Sequence, residues 1–320
     1  MKFNSSLRRV IDLRVGALLV VLLLLFLCPL FMPSFYVTFL TEIIIIALFA
    51  CSLNLLMGFS GFLSFGHAAF FGIGAYAFGL LTVKAGFPGI LALLCGLLLA
   101  VIAGALLAYF CVRLPPNPLY GAMLTLAAGM LVYSVIFGLY DLTGGENGLV
   151  GISRPAPFAT GISFYYFILI VALICFIVMW ILVNSPFGKT LKGIRENRER
   201  MEHMGINVKF FLFIIFIIAA FFGALSGILY SLYNNGAFPG YAGAARSLEV
   251  VFICLIGGMY TFTGPLLGAL VLLILEKIIA NYIEYWPAVL GVILIIVVLF
   301  FRNGILGYLE GKLKPMKAKE

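Results

Sequence analysis

Gly58-Phe59-Ser60-Gly61-Phe62-Leu63-Ser64-Phe65-Gly66-His67 places three glycines, two serines and a histidine within ten positions of an otherwise strongly apolar sequence. Glycine costs about 1 kcal/mol relative to alanine in a helix interior, so three of them predict a broken or re-entrant segment whose free carbonyls and amides line a protected cavity. Gly257-Gly258-Met259-Tyr260-Thr261-Phe262-Thr263-Gly264-Pro265 has the same rhythm. Both alternate large apolar residues with Ser or Thr, and both precede small residues: Ala68, Ala69, Gly72 and Gly74 in one case, Gly268 and Ala269 in the other. The chemistry on offer is recognition of a small polar solute by partial charges. Ser60, Gly61, Ser64, Gly66, His67, Thr261, Thr263 and Gly264 are its candidates, and a faint internal repeat would make the two stretches counterparts in related halves. Glycine-rich turns with tight helix packing explain the pattern equally well, since Gly223 to Gly227 and Gly264 to Gly268 are ordinary small-residue spacings.

Other chemistry finds little support. Gly188-Lys189-Thr190 looks like the end of a phosphate-binding loop, but position 183, where that pattern needs glycine, is Val183. Any ATP hydrolysis therefore belongs to another chain. The six cysteines lie in or beside apolar runs with no Cys-x-x-Cys pair, which reads as packing rather than metal or disulfide chemistry. Within the apolar runs the ionisable residues are His67, Glu42, Glu249, Glu276 and Lys277. His67 stands at a helix start, where a structural hydrogen bond and a place on a solute path are both open readings. Glu249 is expected to cap a short helix. With no buried charge cluster in view, a zwitterion would be met by helix ends and by Ser60, Ser64, Thr261 and Thr263, and such a pore would select weakly.

The elements that position these residues follow from composition. Of 320 residues, 64% are hydrophobic and only 10% charged, and the mean hydropathy is +1.20. That makes lipid the solvent and excludes a soluble enzyme, a disordered tail and a secreted disulfide scaffold. The apolar runs predict an all-α polytopic membrane protein with about ten spans, at 15–31, 36–57, 66–83, 88–112, 118–140, 163–183, 210–233, 248–260, 265–283 and 286–301. The eighth is too short to cross a bilayer upright, as a broken helix would be. With ten crossings, sixteen of the twenty basic residues fall on one side: the N-terminus (1–14), Arg113, the loop 184–209 and the tail 302–320. The positive-inside rule makes that side cytoplasmic. The net charge of +8 is therefore a membrane-surface feature that meets anionic lipid, not a nucleic-acid footprint.

Two connections stand out. Ser185 and Pro186 can cap and open a helix, on which Leu191, Ile194, Met201 and Met204 share a face before Gly205 stops it. This basic amphipathic helix either lies in the headgroup layer or presents its stripe to a cytoplasmic partner. On the opposite side, the Gly- and Pro-rich loop 141–162 carries Asp141, Glu146 and Arg154, and the stretch from Asn234 to Ser247 is expected beside it.

The run from Asn54 to Tyr76, NLLMGFSGFLSFGHAAFFGIGAY, resembles the signature of permease subunits of ABC importers for branched-chain amino acids, the LivM type. LTGGENG (Leu142 to Gly148), SPFGKTLKGIRENRERMEHMG (Ser185 to Gly205) and GGMYTFTGPLLGA (Gly257 to Ala269) resemble it in the same order, from about Leu40 to Gly307. Such subunits usually have Arg-Leu-Arg-Gly before a Tyr-Phe-Ala-Met run, whereas Arg113 to Met123 here contains extra residues and three prolines, at 115, 116 and 118. The resemblance implies a subunit forming half a pore with a homologous permease, above two cytoplasmic ATPases that use ATP and Mg, and fed by an extracytoplasmic binding protein. It implies no cofactor in this chain and a place in a bacterial or archaeal cytoplasmic (inner) membrane, with both termini cytoplasmic. It also makes Gly188 to His203 the coupling helix, with Gly188, Leu191, Ile194, Arg195, Met201 and Gly205 as its characteristic residues. Related subunits handle urea and short amides, and the broken helices taken alone also fit an ion-coupled secondary transporter.

Overall fold

The computed structural model describes residues 23–113, 118–158 and 160–282, with 288–289, 291–292, 295 and 304–306. Residues 23–31 form α1, followed by α2 (Ser34–Asn54), α3 (Ala68–Gly79), α4 (Gly89–Arg113), α5 (Pro118–Gly138) and the short α6 (Tyr140–Thr143). Then come α7 (Gly161–Asn184), α8 (Pro186–Glu196), α9 (Arg198–His203), α10 (Val208–Asn234), α11 (Ala244–Gly257) and α12 (Gly264–Ala280). The basic N-terminus, the start of the first span, the prolines at 115 and 116, and most of the tenth span and the tail lie outside the described residues.

Among the described residues five helices are long and apolar enough to cross a membrane, and the protein is all-α and polytopic. Almost every helix is apolar all round, so periodicity cannot say which face is inside; the packing decides. α2 forms the axis: from Ile43 to Asn54 every residue is buried among α7, α10, α11 and α12. α4 lies at the edge and turns Ile90, Leu94, Leu98 and Ile102 outward, as a lipid-facing stripe requires. Small residues set the closest approaches. A Cβ at Gly227 of α10 would run into the Phe71 carbonyl of α3, and one at Gly104 of α4 would meet Ala220 of α10.

The connections sort to two ends, as alternating crossings demand. At one end Lys84 donates to the Asp141 carbonyl, and β1 (Leu149–Val150) pairs antiparallel with β2 (Gly236–Ala237) in the register Leu149 to Ala237. Arg154 donates to the carbonyls of Leu232 (3.1 Å) and Tyr233 (2.9 Å), so the 141–162 loop is tied to the stretch after α10 that the sequence places beside it. At the opposite end lie α8, α9 and both glycine-rich breaks. The eighth span corresponds to α11, which starts four residues earlier than the apolar run indicates. The Ser247 hydroxyl there accepts the backbone N–H of Ala68, at the beginning of α3 (3.0 Å).

Candidate functional site

α2 does not end at Asn54 but widens into a π-turn, Leu55–Ser60, and is stopped by Gly61 at φ +74°, a left-handed conformation that glycine adopts without strain. The chain then re-enters the protein without regular structure. Phe65 N–H donates to Thr125 Oγ1 (3.1 Å), and Gly66 presses on the Thr125 carbonyl so closely that no Cβ could fit. Irregular backbone at this depth survives only where protein groups satisfy it, and α5 supplies them.

The second break meets the first. α11 stops at Gly257, Gly258 turns with φ +111°, and Gly264 opens α12. Asn54 Nδ2 donates to the Thr261 carbonyl (3.0 Å), while Gly58 faces the Met259 carbonyl with no room for a side chain. Two stretches some two hundred residues apart in sequence thus form one polar layer at the end of the bundle where α8 lies.

The hydroxyls in that layer are mostly spent locally. Ser60 donates to Leu56 O (2.8 Å) and Thr261 to Gly258 O (3.0 Å), each within its own turn. Thr263 is exposed at the start of α12 and makes no capping bond. Ser64 and Asn54 each keep one buried oxygen without a partner among the described residues, Oγ and Oδ1 respectively. His67 is fully buried, stacked on Phe49 at 5.4 Å, with Nε2 2.8 Å from the Ser52 hydroxyl. Ser52 gives its own proton to Phe49 O (2.6 Å), so Nε2 carries the hydrogen that His67 donates, and this pair locks α3 to α2.

The loop helix differs from the sequence reading in two ways. Ser185 caps α8 by accepting Gly188 N–H (3.3 Å) with Pro186 in the first turn, as expected. The helix then breaks at Asn197, whose Oδ1 accepts Arg200 N–H (2.8 Å) and caps α9. The apolar stripe, moreover, is not presented outward. Leu191, Ile194 and Met201 are buried against the chain's own helices, Gly188 packs on the Val183 carbonyl, and Met204 is exposed off the stripe. A short helix beneath a membrane bundle covers its apolar face with that bundle. Its outward face is Pro186, Lys189, Glu196, Asn197, Glu199, Arg200, Glu202 and His203, with Gly205 exposed at the turn beyond (φ +81°).

Arg195 joins this loop to the breaks. Its Nη1 donates to the Gly58 carbonyl (2.6 Å), its guanidinium lies 4.9 Å from the Tyr260 ring centre, and its stem packs on Gly61. Lys192 adds a second cation over Phe59 at 5.4 Å. One side chain of α8 therefore touches both glycine-rich stretches.

A second charged group lies toward the other end of the bundle, and the sequence reading missed its centre. Arg246 falls in the stretch read as an external connection, but the chain dips inward through the 3-10 turn Pro239–Ala242 and carries it into the protein. Arg246 Nη1 donates to both oxygens of Glu249 (2.9 and 2.8 Å), and the guanidinium side chain is only 14% exposed. Glu249 is thus an ion-pair partner in the second turn of α11, not its cap. Glu42 accepts from Tyr230 (3.0 Å) and Tyr233 (3.5 Å) beside it. The expectation that a zwitterion would find no buried charge is corrected by these residues. An Arg–Glu pair three residues apart on a helix was the available signal.

Broken apolar helices, paired re-entrant breaks and a structured loop bonded to them define a multi-pass membrane protein of the permease class. Residues 35–298 match the family described as branched-chain amino acid transport system / permease component, and the chain belongs to that family. It is 26% identical over 289 residues to the high-affinity branched-chain amino acid transport system permease protein LivM of Escherichia coli K12, covering 82% of this chain and 68% of that protein. It is 23% identical over 280 residues to LivH of the same strain, covering 82% and 91%. The galactose/methyl galactoside import permease protein MglC of Haemophilus influenzae is 29% identical over 204 residues, 62% of this chain and 57% of that protein. No solved structure matches the chain.

Proposed function

We propose that the chain forms half of the transmembrane pore of an ATP-driven importer of branched-chain amino acids. The second half is a homologous permease, two cytoplasmic ABC ATPases use ATP and Mg beneath the pair, and an extracytoplasmic binding protein delivers substrate. The loop end of the bundle faces the cytoplasm of a bacterial or archaeal cell, and both termini lie on that side. Asymmetry of the basic residues supports this direction, because cytoplasmic loops carry the excess of Lys and Arg.

The observation that carries the reading is Arg195, which bonds the Gly58 carbonyl and stacks on Tyr260. A loop that only floated in the headgroups would have no use for a charge inserted between two helix breaks. A loop moved by an ATPase would transmit its displacement through such a strut. The partner face is the polar outer side of α8 and α9, around Lys189, Glu199, Arg200 and His203, while Leu191, Ile194 and Met201 hold the loop to its own bundle.

Assembly with the neighbouring permease, ATPase and binding-protein genes, followed by reconstitution in liposomes, tests the reading. Uptake of leucine, isoleucine and valine that requires both internal ATP and the binding protein is the expected result. Uptake that persists without ATP and collapses with the ion gradient would establish a secondary transporter. Transport of urea or short amides in place of leucine would keep the machinery and change the cargo.

A further inference from the structure

We propose that the groove between α4 and α7, floored by α10, seats one acyl chain of an anionic phospholipid from the leaflet on the α8 side, with its phosphate toward Arg113 and Lys209. The site is separate from the glycine-rich breaks and does not depend on what the pore carries.

α4 packs on α3 and α10, whereas α7 packs on α2, and a gap is left between α4 and α7 across the outer side of α10. That gap is a groove of about 320 Å³. Val101 of α4 forms one wall, Val178 and Leu182 of α7 the other, and Ile218, Phe221 and Phe222 of α10 lie along the floor. Every lining side chain is apolar, and Val178 keeps 49% of its surface exposed, so the groove opens outward rather than into the bundle. Its depth matches one leaflet. Counted from the α8-side ends of their helices at about 1.5 Å per residue, Leu182 lies roughly 3 Å in, Val101 roughly 18 Å and Phe222 roughly 21 Å. Half of a hydrocarbon core is about 15 Å thick. At about 30 Å³ for a group the size of a water molecule, the volume holds roughly ten methylenes, most of one tail.

The lining also says what kind of occupant fits. An aqueous solute path would need polar groups, and a seam for a neighbouring helix would need Gly, Ala or Ser to bring backbones close. This groove offers bulky branched and aromatic side chains instead, and the surface around it is of the same kind: Leu98 and Ile102 of α4 and Ile174 and Ile181 of α7 all face outward. A flexible tail can follow such an irregular wall, and a gap left empty would forfeit the dispersion contacts of its lining. Lipid tails are as apolar as the groove, so burial alone does not choose among lipids; the headgroup has to. Two of the helices that form the groove end in exposed cations on the α8 side. Arg113 is the last residue of α4, with its guanidinium 4.0 Å from the Tyr109 ring centre, and Lys209 is the second residue of α10. Neither takes part in the ion pairs that the described residues form, Arg198 with Glu202 and Arg246 with Glu249. Cations at that level attract anionic headgroups.

The test uses the assembled importer in nanodiscs containing phosphatidylglycerol with a photoreactive diazirine on its acyl chain, and maps the labelled peptides. Label concentrated on the peptides bearing Val178, Ile218 and Phe222 is the expected result. Val178→Trp, which fills the groove from a half-exposed position, should lower that labelling at least fivefold, whereas Ile90→Trp, on the outward side of α4 at its far end, should leave it unchanged. Native mass spectrometry of the delipidated complex, titrated with phosphatidylglycerol or phosphatidylcholine, reads the headgroup separately. Wild type should retain phosphatidylglycerol three- to tenfold better, and Arg113→Gln combined with Lys209→Gln should bring the two lipids to about equal retention. Label spread evenly along the outward sides of α4 and α7 would overturn the site and leave only bulk lipid there. A groove that takes no label in the assembled importer would overturn it as well, since a protein neighbour would then cover it. Equal retention of the two lipids by wild type would overturn the anionic headgroup and with it the proposed ligand. The wild-type map and titration need no variant, so a substitution that fails to fold does not spare the proposal.

Discussion

Removing the guanidinium of Arg195 should separate ATP hydrolysis from transport. The hydrogen bond to the Gly58 carbonyl is 2.6 Å long and charge-assisted, a type that contributes about 1.5–3 kcal/mol. Stacking on Tyr260 at 4.9 Å adds about 0.5–2 kcal/mol. The side chain is only part-buried, so water recovers some of both when it is released, and about 2 kcal/mol is left as the energy that couples α8 to the breaks. At 1.4 kcal/mol per factor of ten, leucine carried per ATP hydrolysed should fall about thirtyfold in Arg195→Ala. Arg195→Lys keeps the charge but loses the planar stack and the fork of donors, and should fall between wild type and alanine. The assay is paired uptake and phosphate release in proteoliposomes, with co-purification of the ATPase confirming that the loop still docks. Arg195→Ala transporting as much leucine per ATP as wild type would refute the strut and leave the contact a packing detail.

Gly66→Val should abolish accumulation of folded protein, since its Cβ collides with the Thr125 carbonyl, whereas Gly86→Val, in open space, should cost only about 1–2 kcal/mol for its φ of +66°; yield and monodispersity after detergent extraction compare them. Leu191→Glu should lower the amount of folded protein, because it buries a carboxylate against the chain's own helices, while a charge reversal on the exposed face, Lys189→Glu, should leave folding intact and weaken ATPase co-purification. Ser52→Ala strands the Nε2 hydrogen of His67 and should cost about 1–3 kcal/mol in detergent denaturation, more than Ser60→Ala, whose hydroxyl serves only its own turn.

The breaks were legible because three closely spaced glycines are costly in a helix whatever surrounds them, and Ser185-Pro186 marked the start of α8 for a similarly local reason. What covers a face was not legible. Leu191, Ile194 and Met201 share a side by spacing alone, but the same spacing suits a stripe docked on a partner and one docked on α7 and α10, and only packing tells them apart. The break at Asn197 is not legible because it falls in the polar run Glu196 to Arg200, between the stripe residues Ile194 and Met201. Arg246 was missed for a different reason. The connection after the apolar run 210–233 reads as outside, and nothing in Gly236 to Gly243 announces that it turns back along α3.

The position of α11 gives these separate sites a common part. Fourteen residues at about 1.5 Å each make a rod of roughly 21 Å. Its first turns carry Arg246 and Glu249 among the tyrosines, and its last residue leads into the stretch that meets Gly58, Asn54 and, through Tyr260, Arg195. Cys254 donates to the Ala50 carbonyl (3.3 Å) on the way, so the rod is laid along α2 for most of its length. A packed helix of this length moves as a unit rather than bending, because its backbone bonds and buried contacts are lost together if it does. Displacement of α8 that reaches Tyr260 therefore has a direct mechanical route to Arg246. Arg195→Ala cuts the loop from that rod without touching the ionic cluster. Uptake in that variant should consequently fall through wasted ATP, with hydrolysis continuing while less leucine is carried per cycle.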